Sequence, residues 1–414
     1  MLNDTCTGAT VSSRTLSFPV SLDPEVSLVR AGAAIALSEV GGTADAPVWA
    51  PYPGRAVASK YDFVCVSVAR KQLAAYYGAK SARSKAEWLW CTDGLNKAGL
   101  SCALQYQGLT RRFPAYDPQN KAKPDALNYE DLCTFALARF DSTPALKRYI
   151  EGNLQLAFPA AIYGKWARLM AQGLADAPPW HFSITDAKGR GIIVQARDGQ
   201  VQVLDNKYGV FTNEPFYEEQ EKKVAEFERQ MLSNPADVFP SVKTVHVPEI
   251  EGGPSIFAAG AKNPIGYLPL PGDYSGPSRF TRMALTLKYA TKPTCWDATS
   301  MLDKKEKETL NPAYVPAGLP KTNEALLAVL GVTNQVYLPR GLTDHGKAGA
   351  AGEWTPFSTL RDHRLKAFYV RTANSPLFRQ YHLKMINWTN TGKRGIVTVP
   401  LTTPGETWFV KERL

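Results

Sequence analysis

No run of this chain approaches the roughly 18 apolar residues that a membrane-spanning helix requires. Nor does it begin with the charged-then-apolar pattern of a secretory leader. As written it reads as a cytoplasmic protein without stable membrane insertion, or as a periplasmic or secreted one if a leader has been removed. The six cysteines (Cys6, Cys65, Cys91, Cys102, Cys133 and Cys295) form no CxxC pair, which argues against a zinc ribbon or a thioredoxin-type site. The five histidines show no HxxxH spacing, so their spacing indicates no metal site, and no motif of the sequence points to an organic cofactor. A Walker A loop, a GxGxxG turn after a strand, an HExxH helix and a GxSxG elbow are all missing. Basic residues outnumber acidic ones 48 to 38, a net charge of +10, but they are scattered without a dense run or an aromatic RNA-binding motif. That pattern permits an anionic substrate and argues against nucleic acid as a partner.

What is present is enough apolar material for a large core, 44% of 414 residues. That length allows one large domain or two moderate ones. No repeat or low-complexity linker divides the chain. "CTGATV" and "LSFPVSL" flank the polar "SSRT" and predict an N-terminal hairpin. "SLVRAGAAIAL" and "YDFVCVSVAR" continue as strands, and "NKAGLSCALQYQG" as a turn and strand. "NYEDLCTFALARF" and "STPALKRYIEGNL" carry helix-start signals. "HFSITDAKGRGIIVQARDGQVQVLDN" alternates apolar residues between two turns. "YEEQEKKVAEFERQML" and "TNEALLAVLGV" read as helices, residues 234–276 as loop, 295–353 as partly charged helix and flexible "DHGKAGAAGEW". "KAFYVRT", "YHLKMINW" and "RGIVTV" read as late strands. Cys65, Cys102 and Cys133 sit in apolar contexts and read as small core residues. Strands, helices, then strands and helices again suggest two sheets enclosed by helices.

With the familiar catalytic devices missing, Cys6 stands out. A cysteine that becomes the first residue is a self-sufficient nucleophile. Its own α-amine, with an ordinary pKa of about 8, takes the thiol proton and returns it to the leaving amine. The chemistry needs a carboxylate to fix the amine, a cation near the sulfur and donors for the oxyanion. It also requires removal of "MLNDT".

"TDGLNKAGLSCALQY", "YGVFTNEP" and "LPGDYSGPSRF" resemble the choloylglycine hydrolase family. These are N-terminal-nucleophile amide hydrolases that include penicillin V acylases and conjugated bile acid hydrolases. "CTG", "PPWHFSITDAKGRGIIVQ" and "WTPFSTLRDHRLKAFYVRT" follow in the family's order, so the likeness runs from Cys6 to about Leu383.

The resemblance implies a role for each matching residue. Cys6 is the nucleophile, forming and releasing a thioester. Asp23 holds the α-amine. Asn213 donates its amide to the oxyanion hole, and Arg279 supplies a fixed positive charge near the thiolate. Tyr106 completes the oxyanion hole through its backbone N–H, and its side chain matches penicillin V acylases rather than bile salt hydrolases. One departure is clear: where the family usually carries an arginine three residues before the aspartate, this chain has Val20. Arg14 falls in the expected turn, too close to Cys6 to be an easy substitute.

The implied fold is an α/β (α+β type), four-layer αββα sandwich with two stacked antiparallel sheets, the Ntn-hydrolase fold. The implied organisation is a removable propeptide, 1–5, before a single domain, 6–414. The expected partner is a small amphipathic amide, penicillin V-like, with conjugated bile acids and N-acyl homoserine lactones as rival substrates. An inactive relative that binds an acyl ligand is the alternative of another class. A dimer or tetramer stays open, because Glu218 to Tyr267 departs from the family's usual arm.

Overall fold

In the computed structural model the described residues are 2–4, 9–18, 24–42, 47–49, 56–68, 87–107, 113–157, 180–233, 270–290, 321–339 and 354–401. Cys6, Val20 and Asp23 lie outside them, as do 234–269, 291–320 and 340–353.

Two antiparallel sheets dominate. The smaller runs Leu2–Asp4, Ala9–Phe18, Trp354–Asp362, Ala367–Thr372, Ser375–His382 in spatial order. The larger has eight strands, from Gln200–Asp205 at one edge through Gly191–Arg197, Trp180–Thr185, Ser101–Tyr106, Cys91–Asn96, Phe63–Val68 and Pro24–Val29 to Ile396–Pro400 at the other.

Strand alternation sorts the side chains into layers. Val64, Val66 and Leu95 of the large sheet meet Leu16, Phe357, Phe368 and Val370 of the small one, which forms the core between the sheets. Their neighbours Phe63, Cys65, Leu100, Cys102 and Leu104 face the other way. They pack against Leu132, Phe135 and Leu137 of the Leu132–Arg139 helix and Leu146 and Ile150 of the Thr143–Gly152 helix. On the far side of the small sheet, Val11 and Leu360 meet Phe280, Ala284, Leu285 and Val329 from the helices Gly276–Ala290 and Lys321–Asn334. The layers are therefore helix, sheet, sheet, helix, as the resemblance implies.

Three expectations are corrected. "SSRT" is no turn: Ala9–Phe18 is one continuous strand. Its polar residues are held on both faces, with Ser13 Oγ bonded to Thr333 Oγ1 on the helix side and Ser12 and Arg14 buried between the sheets. Such partners come from residues 78 to 351 positions away, beyond any local signal. "YHLKMINW" holds only the end of the strand Ser375–His382, after which the chain turns. The cysteines are core residues, but paired ones. Cys65 joins Cys91 on the adjacent strand, and Cys102 joins Cys133 on the helix, with Cα–Cα separations of 5.6 and 5.2 Å. The helix at Gly276–Ala290 carries no expectation from its sequence, because a Gly- and Pro-rich loop leads into it.

A polar seam crosses the otherwise apolar layer between the sheets. Asp93, fully buried, accepts from Thr359 Oγ1 at 2.7 Å and from Arg361 Nε at 2.8 Å and Nη2. Arg361 also donates to Ser12 Oγ. His363 Nδ1 faces the Gly99 carbonyl at 2.8 Å and must donate there, so its Nε2 accepts from Ser12 Oγ at 2.7 Å.

Candidate active site

Tyr106, Asn213 and Arg279 come from a strand end, a loop and a helix start, and all three line one pocket. Each is positioned by identifiable bonds. Tyr106 closes the strand Ser101–Tyr106, opposite Trp180 in register. It is 37% exposed, with its ring edge-on to Trp180, so it belongs to an opening and not to the core.

Asn213 sits in the loop between the strand Gln200–Asp205 and the helix Tyr217–Ser233. Gln220 of that helix reaches back, its Nε2 donating to the carbonyls of Asn213 at 2.7 Å and Pro215 at 2.6 Å. Gln107 Nε2 donates to the same Pro215 carbonyl. Thr212 Oγ1 bonds Gln220 Oε1 and the Gly276 carbonyl, which ties the Asn213 loop to the Arg279 helix. The two backbones touch closely there, and a Cβ on Gly276 would overlap the Glu214 carbonyl oxygen. Among the described residues the Asn213 side-chain amide has no protein hydrogen bond, which leaves a neutral donor at the pocket.

Arg279 lies in the first turn of Gly276–Ala290 and is buried. Asp273 braces the approach to this turn, accepting from Ser275 N at 2.8 Å and Ser278 Oγ at 2.5 Å. The Ser275 and Ser278 bonds hold the Asp273 carboxyl down to about 2. Arg282 donates to the carbonyls of Pro271 and Asp273, which folds the preceding loop onto the helix.

The same pocket is walled by Ser13, Arg14, Thr15 and Leu16, so it meets the N-terminal strand seven to ten residues past Cys6. Arg14 is buried in this wall, donates Nη1 to the Thr92 carbonyl at 2.9 Å and stands 3.7 Å from Asp93. Desolvation lowers its pKa to about 10, opposed by Asp93, so it remains a cation at neutral pH. Arg14 is thus a site residue that its place in a supposed turn concealed. Gln220 and Gly276 were equally hidden, since nothing local marks a glutamine that braces a loop. Among the described residues no group of three or more His, Cys, Asp or Glu side chains could hold a metal ion. No described helix is long and apolar enough to cross a membrane.

This arrangement places a neutral amide donor and two guanidiniums around one cleft at the edge of two stacked antiparallel sheets. The architecture is that of the N-terminal-nucleophile hydrolases. Solved structures share it: a variant of conjugated bile acid hydrolase from Clostridium perfringens, with a TM-score of 0.60 at 17% identity, covers 96% of this chain and 95% of its own. Penicillin V acylase from Agrobacterium tumefaciens has a TM-score of 0.55 at 17% identity, covering 93% of this chain and 85% of its own.

Residues 1–301 match the family of linear amide C–N hydrolases, choloylglycine hydrolase family, and the chain belongs to it. A bile salt hydrolase/transferase of Clostridium perfringens (strain 13 / Type A) is 27% identical over 199 residues, 46% of this chain and 50% of that protein. An uncharacterized protein, A284L, of Paramecium bursaria Chlorella virus 1 is 33% identical over 110 residues, 26% of this chain and 32% of its own. The chain thus spans half or less of the length of these curated relatives.

Proposed function

We propose that this protein hydrolyses a linear, non-peptide amide, with Cys6 as nucleophile once residues 1–5 have been removed. The observation that carries this reading is the convergence of Tyr106, Asn213 and Arg279 on one pocket, although they lie in stretches separated by more than 60 residues. The Cys6 thiolate attacks the amide carbonyl, the Asn213 amide stabilises the oxyanion, and the freed α-amine, held by Asp23, returns the proton to the leaving amine. Water then hydrolyses the thioester. Arg279 favours the thiolate as a fixed charge.

The substrate of choice is a penicillin V-like acyl amide, on the strength of an exposed aromatic at position 106. The test is a panel of penicillin V, glycine- and taurine-conjugated bile acids and acyl homoserine lactones. Wild type is expected to prefer penicillin V, and Cys6→Ser to lose all hydrolysis. Hydrolysis that survives Cys6→Ser refutes the mechanism. The two buried disulfides favour an oxidising compartment, periplasmic or extracellular, over the cytoplasm.

One observation supports a second reading, that of an acyl-binding relative that is not processed. Leu2–Asp4 is paired into the small sheet against Ala9–Val11, so the peptide to be removed has a place in the fold. A purified protein that retains these residues and binds acyl amides without cleaving them would establish that reading.

A further inference from the structure

Among the described residues, the charge between the two sheets does not balance. Arg14 and Arg361 share one carboxylate, Asp93, and Arg361 holds it through Nε and Nη2. Arg14 reaches Asp93 only at 3.7 Å and uses Nη1 alone in a hydrogen bond, to the Thr92 carbonyl. Its Nε and Nη2 are buried with no hydrogen-bond partner among the described residues. Leaving charged donors dry and unpaired is costly. These two N–H groups share one edge of the planar guanidinium, the edge that grips a carboxylate through two parallel bonds.

Arg14 lines the pocket beside Gln105, Thr212, Asn213 and Arg279, in a cavity of about 50 Å³. That volume admits several waters or one small polar group. All four of these neighbours are polar, and one is a second cation.

We propose that Arg14 is a substrate-binding residue, anchoring a carboxylate carried by the amide substrate through Nε and Nη2, beside Asn213 and Arg279. This rests on the pocket being the amide-hydrolysing site, and it narrows the substrate to N-acyl amides that bear a carboxylate. Neutral amides such as acyl homoserine lactones lack the group that Arg14 is built to hold.

Calorimetry on the purified protein tests the anchor without turnover. The ligands are benzylsulfonylglycine and benzylsulfonylglycinamide, in which a sulfonamide replaces the scissile amide and resists hydrolysis. The carboxylate ligand is expected to bind at least about 10-fold more tightly than the carboxamide. In Arg14→Met that ratio falls to near one. In Arg14→Lys, which keeps the charge and loses the fork, it is intermediate. Arg14→Met leaves Asp93 paired with Arg361 and Thr359, and its thermal melt reports whether the fold is kept; Arg14→Lys carries the test if it is not. Equal affinity for the two ligands, a ratio unchanged in both variants, or no binding of either overturns the proposal. Penicillin V hydrolysis by the same preparation reads the reaction separately. Hydrolysis without a charge preference refutes the anchor alone, and a charge preference without hydrolysis refutes the reaction alone.

Discussion

Asp93 is the one carboxylate that the described residues place in the seam between the sheets, with Thr359, Arg361 and Arg14 arranged around it. Removing it leaves Arg361 buried and unpaired, and an uncompensated buried charge costs about 3–5 kcal/mol. Asp93→Ala should lose stability on that scale, read from the urea midpoint, whereas a loss under 1 kcal/mol would show that the seam is well solvated. Asn213 differs, because its side chain makes no hydrogen bond among the described residues. Asn213→Ala should lower kcat about 100- to 1,000-fold with little change in melting temperature. A change confined to KM would assign it to ground-state binding. That Asn213 and Arg279 share a pocket was legible in the sequence because short motifs surround them. Arg14 was not, since a cation within "SSRT" looks like turn chemistry until its partners on two sheets are known.

At the scale of elements, the pocket depends on the abutment of two backbone segments. Thr212 bonds the Gly276 carbonyl, and Gly276 has no room for a side chain against Glu214. Gly276→Ala must push the Asn213 loop from the Arg279 helix. A displacement near 1 Å at a catalytic group costs on the order of 100-fold in rate. The expectation is a fall of that order in kcat/KM with the fold retained, and unchanged kinetics would show that the abutment does not position Asn213.

The elements also show where local reading succeeds. Helix 132–139 follows an asparagine signal that is real: Asn128 Oδ1 accepts from Glu130 N in the short turn before it. The strands at 180–205 follow from apolar-rich runs between glycine turns, with Gly189 and Gly199 both at positive φ. Ala9–Phe18 defeated the same logic because its polar residues are buried by long-range partners. The disulfides were hidden for a similar reason. Apolar flanks reveal burial, but only the stacking of helix on sheet brings Cys102 to Cys133.

For the whole molecule, the seam also sets the response to acid. Burial pushes the pKa of His363 down to about 3, and burial lowers that of His181 as well. Unfolded histidine titrates near 6.5, so below that pH the unfolded chain binds protons that the folded one does not. The stability that neutral His363 provides is complete above about pH 6.5 and declines as pH falls toward 3. His363→Gln should flatten the dependence of stability on pH in that window by up to about 1.4 kcal/mol per pH unit, the value of one proton. An unaltered slope would mean that His363 is protonated in the native protein.

The sandwich itself was accessible through the order of family motifs, since both sheets and both helical layers follow from them. The carboxylate preference proposed for Arg14 was not, because only the assembled layers create that side chain's environment.

The proposed reaction depends on one covalent event, the cleavage before Cys6. Intact mass and N-terminal sequencing of the purified protein, measured alongside Cys6→Ser, test it most directly. The expected wild-type chain begins at Cys6 and is active, and the Cys6→Ser chain is inactive. A fully active wild-type protein that still carries Met1 to Thr5 would contradict it.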